Sequence, residues 1–169
     1  MMLFWRNRFN IYLLAGMWLL TGCQSGVVGG KNPSTLRFHH VINPDGTPRC
    51  LAIKFLRASP MELHIDRSPF LHEGYVKKAA VLDHLGTYEI QVEFDHQGTM
   101  LLDSVSVANR GQRIAIYSDF GDSRWLAAPV LNRRITNGVF QFTPDASREE
   151  AQRVVDGLNR VAAKWQKRK

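Results

Sequence analysis

The chain has 169 residues, 44% of them hydrophobic, with two cysteines and a formal net charge of +7. This length is enough for one domain with its own hydrophobic core, even after removal of a leader segment. Much of the positive charge lies in the last helix and the tail, which we interpret as a solvent-exposed basic face. Because the leader described next predicts export, nucleic acid is excluded as a partner.

The first 22 residues have the features of a signal peptide. Arg6 and Arg8 form a basic amino-terminal region, and residues 11–20 are apolar except for Gly16. A helix of ten residues is about 15 Å long, roughly half of the ~30 Å hydrocarbon core of a bilayer. We therefore predict a cleaved leader over 1–22 and not a membrane-spanning helix.

The leader ends in Leu20-Thr21-Gly22-Cys23, a tetrapeptide that resembles the bacterial lipobox. In that motif the cysteine receives a diacylglycerol before cleavage and its amine is then acylated, so the resemblance implies a lipoprotein held to a membrane through lipid, palmitate included, on Cys23. Gln24 stands where aspartate signals inner-membrane retention in many enteric-type bacteria. The resemblance therefore implies a cell-envelope protein at the outer membrane, facing the periplasm, in preference to the inner membrane.

The residues after Cys23 predict a tether followed by one folded domain. Residues 23–35 are rich in Gly, Ser, Asn and Pro, a composition typical of a flexible linker. We expect an α+β domain over 36–169. If Cys23 is lipidated, Cys50 has no partner for an intramolecular disulfide, and we interpret Cys50 as a buried structural thiol.

Hydrophobic periodicity predicts a series of strands and two helices along the domain. The predicted strands are 36–42, 51–56, 61–66, 76–82, 88–94, 113–118, 125–130 and 139–142. The first helix covers about 98–108, with Asp95 as its amino-terminal cap. Segment 88–94 alternates most regularly, which places Tyr88, Ile90, Val92 and Phe94 on one face.

The last helix is the clearest element. Ser147 and Glu150 have the spacing of a capping box, which satisfies backbone amides at a helix start. Apolar residues then recur at helical spacing, at Ala151, Val154, Val155, Leu158, Val161, Ala162 and Trp165. Together these patterns predict a mostly antiparallel sheet with two helices packed on one face, and they place Val155, Leu158 and Val161 against strand residues such as Ile90, Val92, Ile114 and Ile116.

Several segments between about 60 and 163 resemble the head subdomain of the first periplasmic domain of SecD, the SecDF P1 head family. The similar segments are Pro69-Phe70-Leu71 with 76–81, the strand 88–94 with its following helix, 111–116, 125–130, Ile135-Thr136-Asn137-Gly138 and 147–151. The order and spacing of these pieces agree with the family. The resemblance implies the head fold and a role in transient contact with protein chains during export. Full SecD also has membrane-spanning helices, so proton-driven translocation is not implied for this chain.

Two kinds of chemical site were considered as alternatives. His64, Asp66, His72 and Glu73, with His39-His40 before them, offer metal-ligand types, but no paired spacing such as HExxH is present. Asp83-His84 with Ser104, Ser106 and Ser118 offer the residue types of a hydrolase, but no Gly-x-Ser-x-Gly elbow accompanies them. We expect no catalytic residues, no metal and no cofactor, with a small periplasmic hydrolase as the alternative function.

The expected function is therefore that of a non-enzymatic, lipid-anchored envelope protein that binds unfolded protein chains or another envelope protein. A contact of this kind needs an exposed apolar anchor or a free strand edge. The candidate partner-binding residues are Phe70 and Leu71, in a loop, and Pro129, because proline suits the edge of a sheet. The opposing interpretation is that these residues are ordinary pieces of the core.

Overall fold

The structure, a computed structural model, describes residues 34–167. The strands are β1 (Arg37–His40), β2 (Cys50–Phe55), β3 (Met61–Asp66), β4 (Leu71–His72), β5 (Val76–His84), β6 (Thr87–Phe94), β7 (Ile114–Asp119), β8 (Ser123–Ala127) and β9 (Val139–Phe142). The helices are α1 (His96–Ala108) and α2 (Arg148–Gln166), and a 3-10 turn covers Glu73–Tyr75. Within this described part, no helix is both long enough and apolar enough to cross a bilayer.

The strands pair antiparallel and are distributed over three sheets. One sheet has the order β4-β1-β7-β8, a second has the order β5-β6-β9, and β2 pairs with β3 as a hairpin. The predicted α+β class, mostly antiparallel with two helices, is confirmed. The sequence did not predict the division into three sheets or the two-residue strand β4, because both depend on pairing between distant segments.

The larger sheets and both helices enclose one hydrophobic core. On β6, Ile90, Val92 and Phe94 are buried and Tyr88 is half-buried, which confirms the predicted alternation. The two helices contribute to the same core, α1 through Leu102 and α2 through a stripe. The buried members of that stripe are Ala151, Val154, Val155, Leu158 and Ala162.

Helix α2 begins at the predicted capping box. The Ser147 hydroxyl accepts from the Glu150 amide at 3.2 Å, and the Glu150 carboxylate accepts from the Ser147 amide at 2.7 Å. At the carboxyl-terminal end of α2 the apolar stripe is less buried. Val161 is only half-buried and Trp165 is 47% exposed, although both belong to the apolar stripe. The last turn of α2 still contacts β5, where the Gln166 side chain donates to the Lys77 carbonyl at 3.3 Å, but it leaves Trp165 half-exposed.

The helix also covers one edge of the β5-β6-β9 sheet. The side-chain amide of Asn159 accepts from the Ala79 amide at 2.8 Å and donates to the Ala79 carbonyl at 2.9 Å. These two bonds satisfy the N–H and C=O groups of Ala79 on β5, as a neighbouring strand would. A covered edge is protected from pairing with other chains, so of the two edges of this sheet β9 is the open one.

The β2–β3 hairpin packs through a small separate core. Ile53 and Ile65 are buried against Ala115 of β7. Nδ1 of His39 lies 2.8 Å from the carbonyl oxygen of Asp66, and burial lowers the pKa of His39 although this hydrogen bond raises it. Cys50, at the start of the hairpin, is a free cysteine of intermediate exposure and not the fully buried thiol expected.

Candidate functional site: a cleft between two strand edges

Two backbone segments face each other across a cleft at the end of both larger sheets. One wall is the segment 126–135, which continues from β8, and the other is 137–145, which includes β9. The walls meet where the Asp145 amide donates to the Leu126 carbonyl at 2.6 Å. Elsewhere they separate around two cavities of about 580 Å³ and 450 Å³, which share Pro129. The larger volume falls in the range of roughly 300–1,000 Å³ that is typical of ligand sites.

The register of β9 turns alternate peptide groups toward this cleft. The Phe94 amide donates to the Gly138 carbonyl, and Val139 to Phe142 then pair with Glu93 to Ile90 in order. In an antiparallel ladder hydrogen-bonded and non-hydrogen-bonded pairs alternate. The N–H and C=O groups of Val139 and Gln141 therefore point away from β6. The Val139 amide donates to the side-chain oxygen of Asn137 at 3.1 Å. The peptide group of Gln141 is therefore the central backbone group of this wall.

The opposite wall has the same arrangement at Val130. The Ile114 amide donates to the Pro129 carbonyl at 3.0 Å, and the Leu131 amide donates to the Gln112 carbonyl at 2.9 Å. These two bonds bracket the Arg113–Val130 bridge, so the peptide groups of Val130 point away from β7. Val130 and Gln141 both line the larger cavity. Two strand edges thus present backbone donors and acceptors to one space.

Polar side chains surround the larger cavity. Its lining includes Glu89, Gln91, Asn132, Arg133, Asn137 and Gln141. The Gln141 side chain donates to that of Gln91 at 2.7 Å, which holds the two amides on the same side of the sheet. The wall is positioned by Gly138, whose φ of 66° favours glycine and whose missing Cβ leaves room for Thr99.

The smaller cavity is apolar. Phe55 and Leu56, at the tip of the β2–β3 hairpin, face Leu126, Ala127, Ala128, Phe142 and Pro144. Leu56 has a φ of 68°, an uncommon conformation for a residue with a side chain. The next amide, that of Arg57, donates to the Asp145 carboxylate at 2.8 Å and ties the hairpin to the cleft wall. The cleft therefore has a polar end and an apolar end.

A charged cluster fixes the apolar end to helix α2. Burial raises the pKa of Glu150, but the hydrogen bond from the Ser147 amide and the guanidinium groups of Arg124 and Arg57 outweigh it and lower the pKa to about 2. Nη2 of Arg124 lies 2.8 Å from the Glu150 carboxylate, and Nη2 of Arg57 lies 3.0 Å from it. The cluster joins the hairpin, β8 and α2 at one point. Because Glu150 also caps the helix, we assign it a structural role.

The sequence-predicted partner residues lie in different places. Pro129 is half-buried and lies between the two cavities, next to the Ala128 carbonyl that accepts from Arg113 at 2.7 Å. Phe70 is half-buried, precedes β4 at the opposite edge of the same sheet, and stacks on His40 at 4.5 Å between ring centroids. Leu71 is fully buried in the core, so its side chain has no surface to offer. Cys23, the leader 1–22 and the tether up to residue 33 lie outside the described residues.

The residues that could serve metal or hydrolase chemistry do not come together in one site. Among residues 34–167 no group of three or more His, Cys, Asp or Glu side chains could hold a metal ion. The Asp66 carboxylate accepts from Arg49 at 2.8 Å, which is the main cause of the lowered pKa of Asp66. Asp83 forms a bidentate pair with Arg148, while Ser106 donates to the Asp103 carbonyl and Ser118 to the Thr35 carbonyl.

The central residues of the cleft were not singled out from the sequence. The alternation Phe140-Gln141-Phe142 indicates a strand with one buried face, and Phe140 and Phe142 are indeed buried. Nothing in that pattern shows that β9 lacks a second neighbour. An edge is a property of the sheet order, so Gln141 and Val130 become candidates only once the pairing is known.

Comparison with known proteins supports the resemblance. The family model for the SecDF P1 head subdomain matches residues 53–160. A solved structure of "a membrane component SecDF that enhances protein export" has a TM-score of 0.55 and 19% identity, covering 76% of this chain and 63% of that one. A crystal structure of SecDF in its super-membrane-facing form has a TM-score of 0.54 and 20% identity, covering 75% of this chain but 18% of that one. No curated protein sequence gives a significant match.

Proposed function

Because this chain belongs to the family of SecDF P1 head subdomains, we propose that it is a non-enzymatic envelope protein that holds extended segments of other protein chains in the cleft between β9 and Val130. The chain spans only 63% and 18% of the two SecDF structures, so a role in export is carried over as part of this proposal. The domain is held at a membrane by lipid on Cys23 and faces the periplasm from the outer membrane.

One observation supports this binding mode: the peptide groups of two strand edges face a single cleft. An extended chain placed between them would pair its backbone with Gln141 on one side and Val130 on the other. Backbone pairing does not depend on the side chains of the bound segment. It therefore suits a domain that contacts many different sequences.

The lining of the cleft supports the same function. At the polar end, amides and charged groups of both signs suit varied side chains of a bound segment. At the apolar end, the space between Phe55 and Phe142 suits one apolar side chain. Few anchors are available, so we expect binding that is micromolar or weaker. Phe70, at the far edge of the sheet, would be a separate and secondary contact.

The binding is tested by titrating the lipid-free domain with unfolded secretory proteins and following amide shifts by NMR. We expect the largest shifts at Val130 and Gln141 and at the residues flanking Pro129, which has no amide of its own. Amides on β2 and β3 away from the tip serve as an internal reference and should not move. If no amide near Pro129 or near Phe70 shifts at high ligand concentration, the proposed binding role is wrong.

The anchor is tested separately by the Cys23→Ser substitution. We expect it to abolish incorporation of radiolabelled palmitate and to leave an unprocessed or soluble product, because serine lacks the thiol that accepts the diacylglycerol. Cys50→Ser is the matched control, since it removes the other cysteine and should leave labelling unchanged. Labelling that persists in Cys23→Ser would contradict the anchor.

A further inference from the structure

We propose that the exposed face of helix α2 is a membrane-contacting surface that binds the headgroups of anionic phospholipids. The surface consists of a basic stripe, Arg153, Arg160, Lys164 and Lys167, and Trp165 flanks it in the last turn, about 100° around the helix from Lys164. These positions recur at intervals of three, four and seven residues, so the four cations share one side of the helix. The orientation of α2 toward the membrane rests on the proposed lipid anchor. The test below does not, because it uses a chain without lipid.

The charge of the surface is the first argument. All four basic residues of the stripe are exposed. Two carboxylates lie near the stripe: that of Asp156 accepts from the Gln152 side chain at 2.9 Å, and that of Glu150 lies 4.0 Å from Nη2 of Arg153. Lys77 and Lys78 of β5 lie beside the end of the helix and are also exposed, Lys77 with its Nζ 2.6 Å from Glu93. A surface of this charge complements anionic headgroups, which attract nearby Lys and Arg side chains.

Trp165 is the second argument. Its side chain is 47% exposed in the last turn of α2, where it lines a small cleft with Val76, Lys77 and Ala162. Exposing half of an indole to water costs free energy that a polar side chain at this position would not incur. Tryptophan is favoured at membrane interfaces, because an apolar ring and a polar N–H suit the headgroup level.

The path of the chain is the third argument. The described residues begin at Ser34, whose hydroxyl donates to the Arg153 carbonyl of α2 at 3.4 Å. Gly157 leaves the space that Ser34 occupies, because a Cβ there would lie 2.6 Å from the Ser34 backbone nitrogen. The segment leading back to Cys23 therefore starts against this helix. Eleven residues reach at most about 40 Å, so a lipid on Cys23 would limit the distance between the bilayer and this part of α2 to that length.

The test uses the processed chain, residues 23–169, with Cys23→Ser so that no lipid contributes and Trp125→Phe so that Trp165 is the only tryptophan. The probes are vesicles of phosphatidylcholine with and without phosphatidylglycerol. We expect a blue shift of the Trp165 emission and protection from iodide quenching with the anionic vesicles, both lost at high salt. No shift with anionic vesicles, or an equal shift with pure phosphatidylcholine, would overturn the proposal.

Two double charge reversals test whether vesicle binding depends on this surface or only on the net charge of the protein. Lys164→Glu with Lys167→Glu should weaken vesicle binding about tenfold or more. Arg67→Glu with Arg110→Glu changes the net charge equally at exposed positions outside α2 and should change binding by less than about threefold. Equal losses in both pairs would overturn the proposal. Either failure leaves the palmitate and NMR experiments on the anchor and the cleft unaffected, so the two proposals fail separately.

Discussion

Replacement of Leu158 by alanine is expected to lower the free energy of unfolding by about 2–5 kcal/mol, the usual cost for a buried leucine. Leu158 is 0% exposed and belongs to the core that contains Ile90, Val92, Ile114 and Ile116. The substitution removes apolar contacts and leaves a cavity. Neighbouring atoms have little freedom to fill it, because α2 is held to β5 by the Asn159 amide.

The measurement is urea unfolding followed by circular dichroism, with the midpoint compared at an unchanged slope. Val161→Ala is the matched control, since Val161 lies on the same stripe but is only half-buried and should cost distinctly less. A loss below about 0.5 kcal/mol for Leu158→Ala, compared with the 2–5 kcal/mol of a closed core site, would mean that this face of α2 is not closed against the sheet.

Local patterns predicted the elements well, because each pattern reports on its own segment. The capping box at Ser147 fixed the start of α2, and the alternation from Tyr88 to Phe94 fixed a strand with one buried face. Asp95 caps α1 as predicted, with its carboxylate accepting from the Gly98 amide at 2.9 Å. The exposure of Trp165 could not be predicted in the same way, since its place in the apolar stripe does not show how much of its side chain other residues cover.

The candidate site depended on information that single segments lack. Phe70 and Leu71 are adjacent, yet Leu71 is fully buried in the core while Phe70, which packs against the same core, is half-buried and stacks on His40. Pro129 was predicted at a sheet edge because proline has no amide to donate, and it lies half-buried between the two cavities. What the sequence could not show is that the edge beyond Pro129 faces the open edge of β9. That juxtaposition arises from the order of strands in two different sheets.

The last prediction tests backbone recognition at this open edge. Gln141→Pro should weaken binding of unfolded secretory proteins at least about tenfold, because it removes one donor worth about 0.5–1.5 kcal/mol and places a ring in the cleft. The amide of Gln141 points away from β6, so the β6–β9 ladder loses no hydrogen bond. Proline is tolerated at such an edge position.

Gln141→Ala is the matched control, since it removes the same side chain, and its bond to Gln91, but keeps the backbone donor. Fluorescence anisotropy with a labelled unfolded secretory protein measures both affinities, and unfolding midpoints verify that both variants fold. If side chains carried recognition, both substitutions would weaken binding equally. If the backbone carries it, alanine should stay within about threefold of the parent chain while proline does not, since only proline removes the donor.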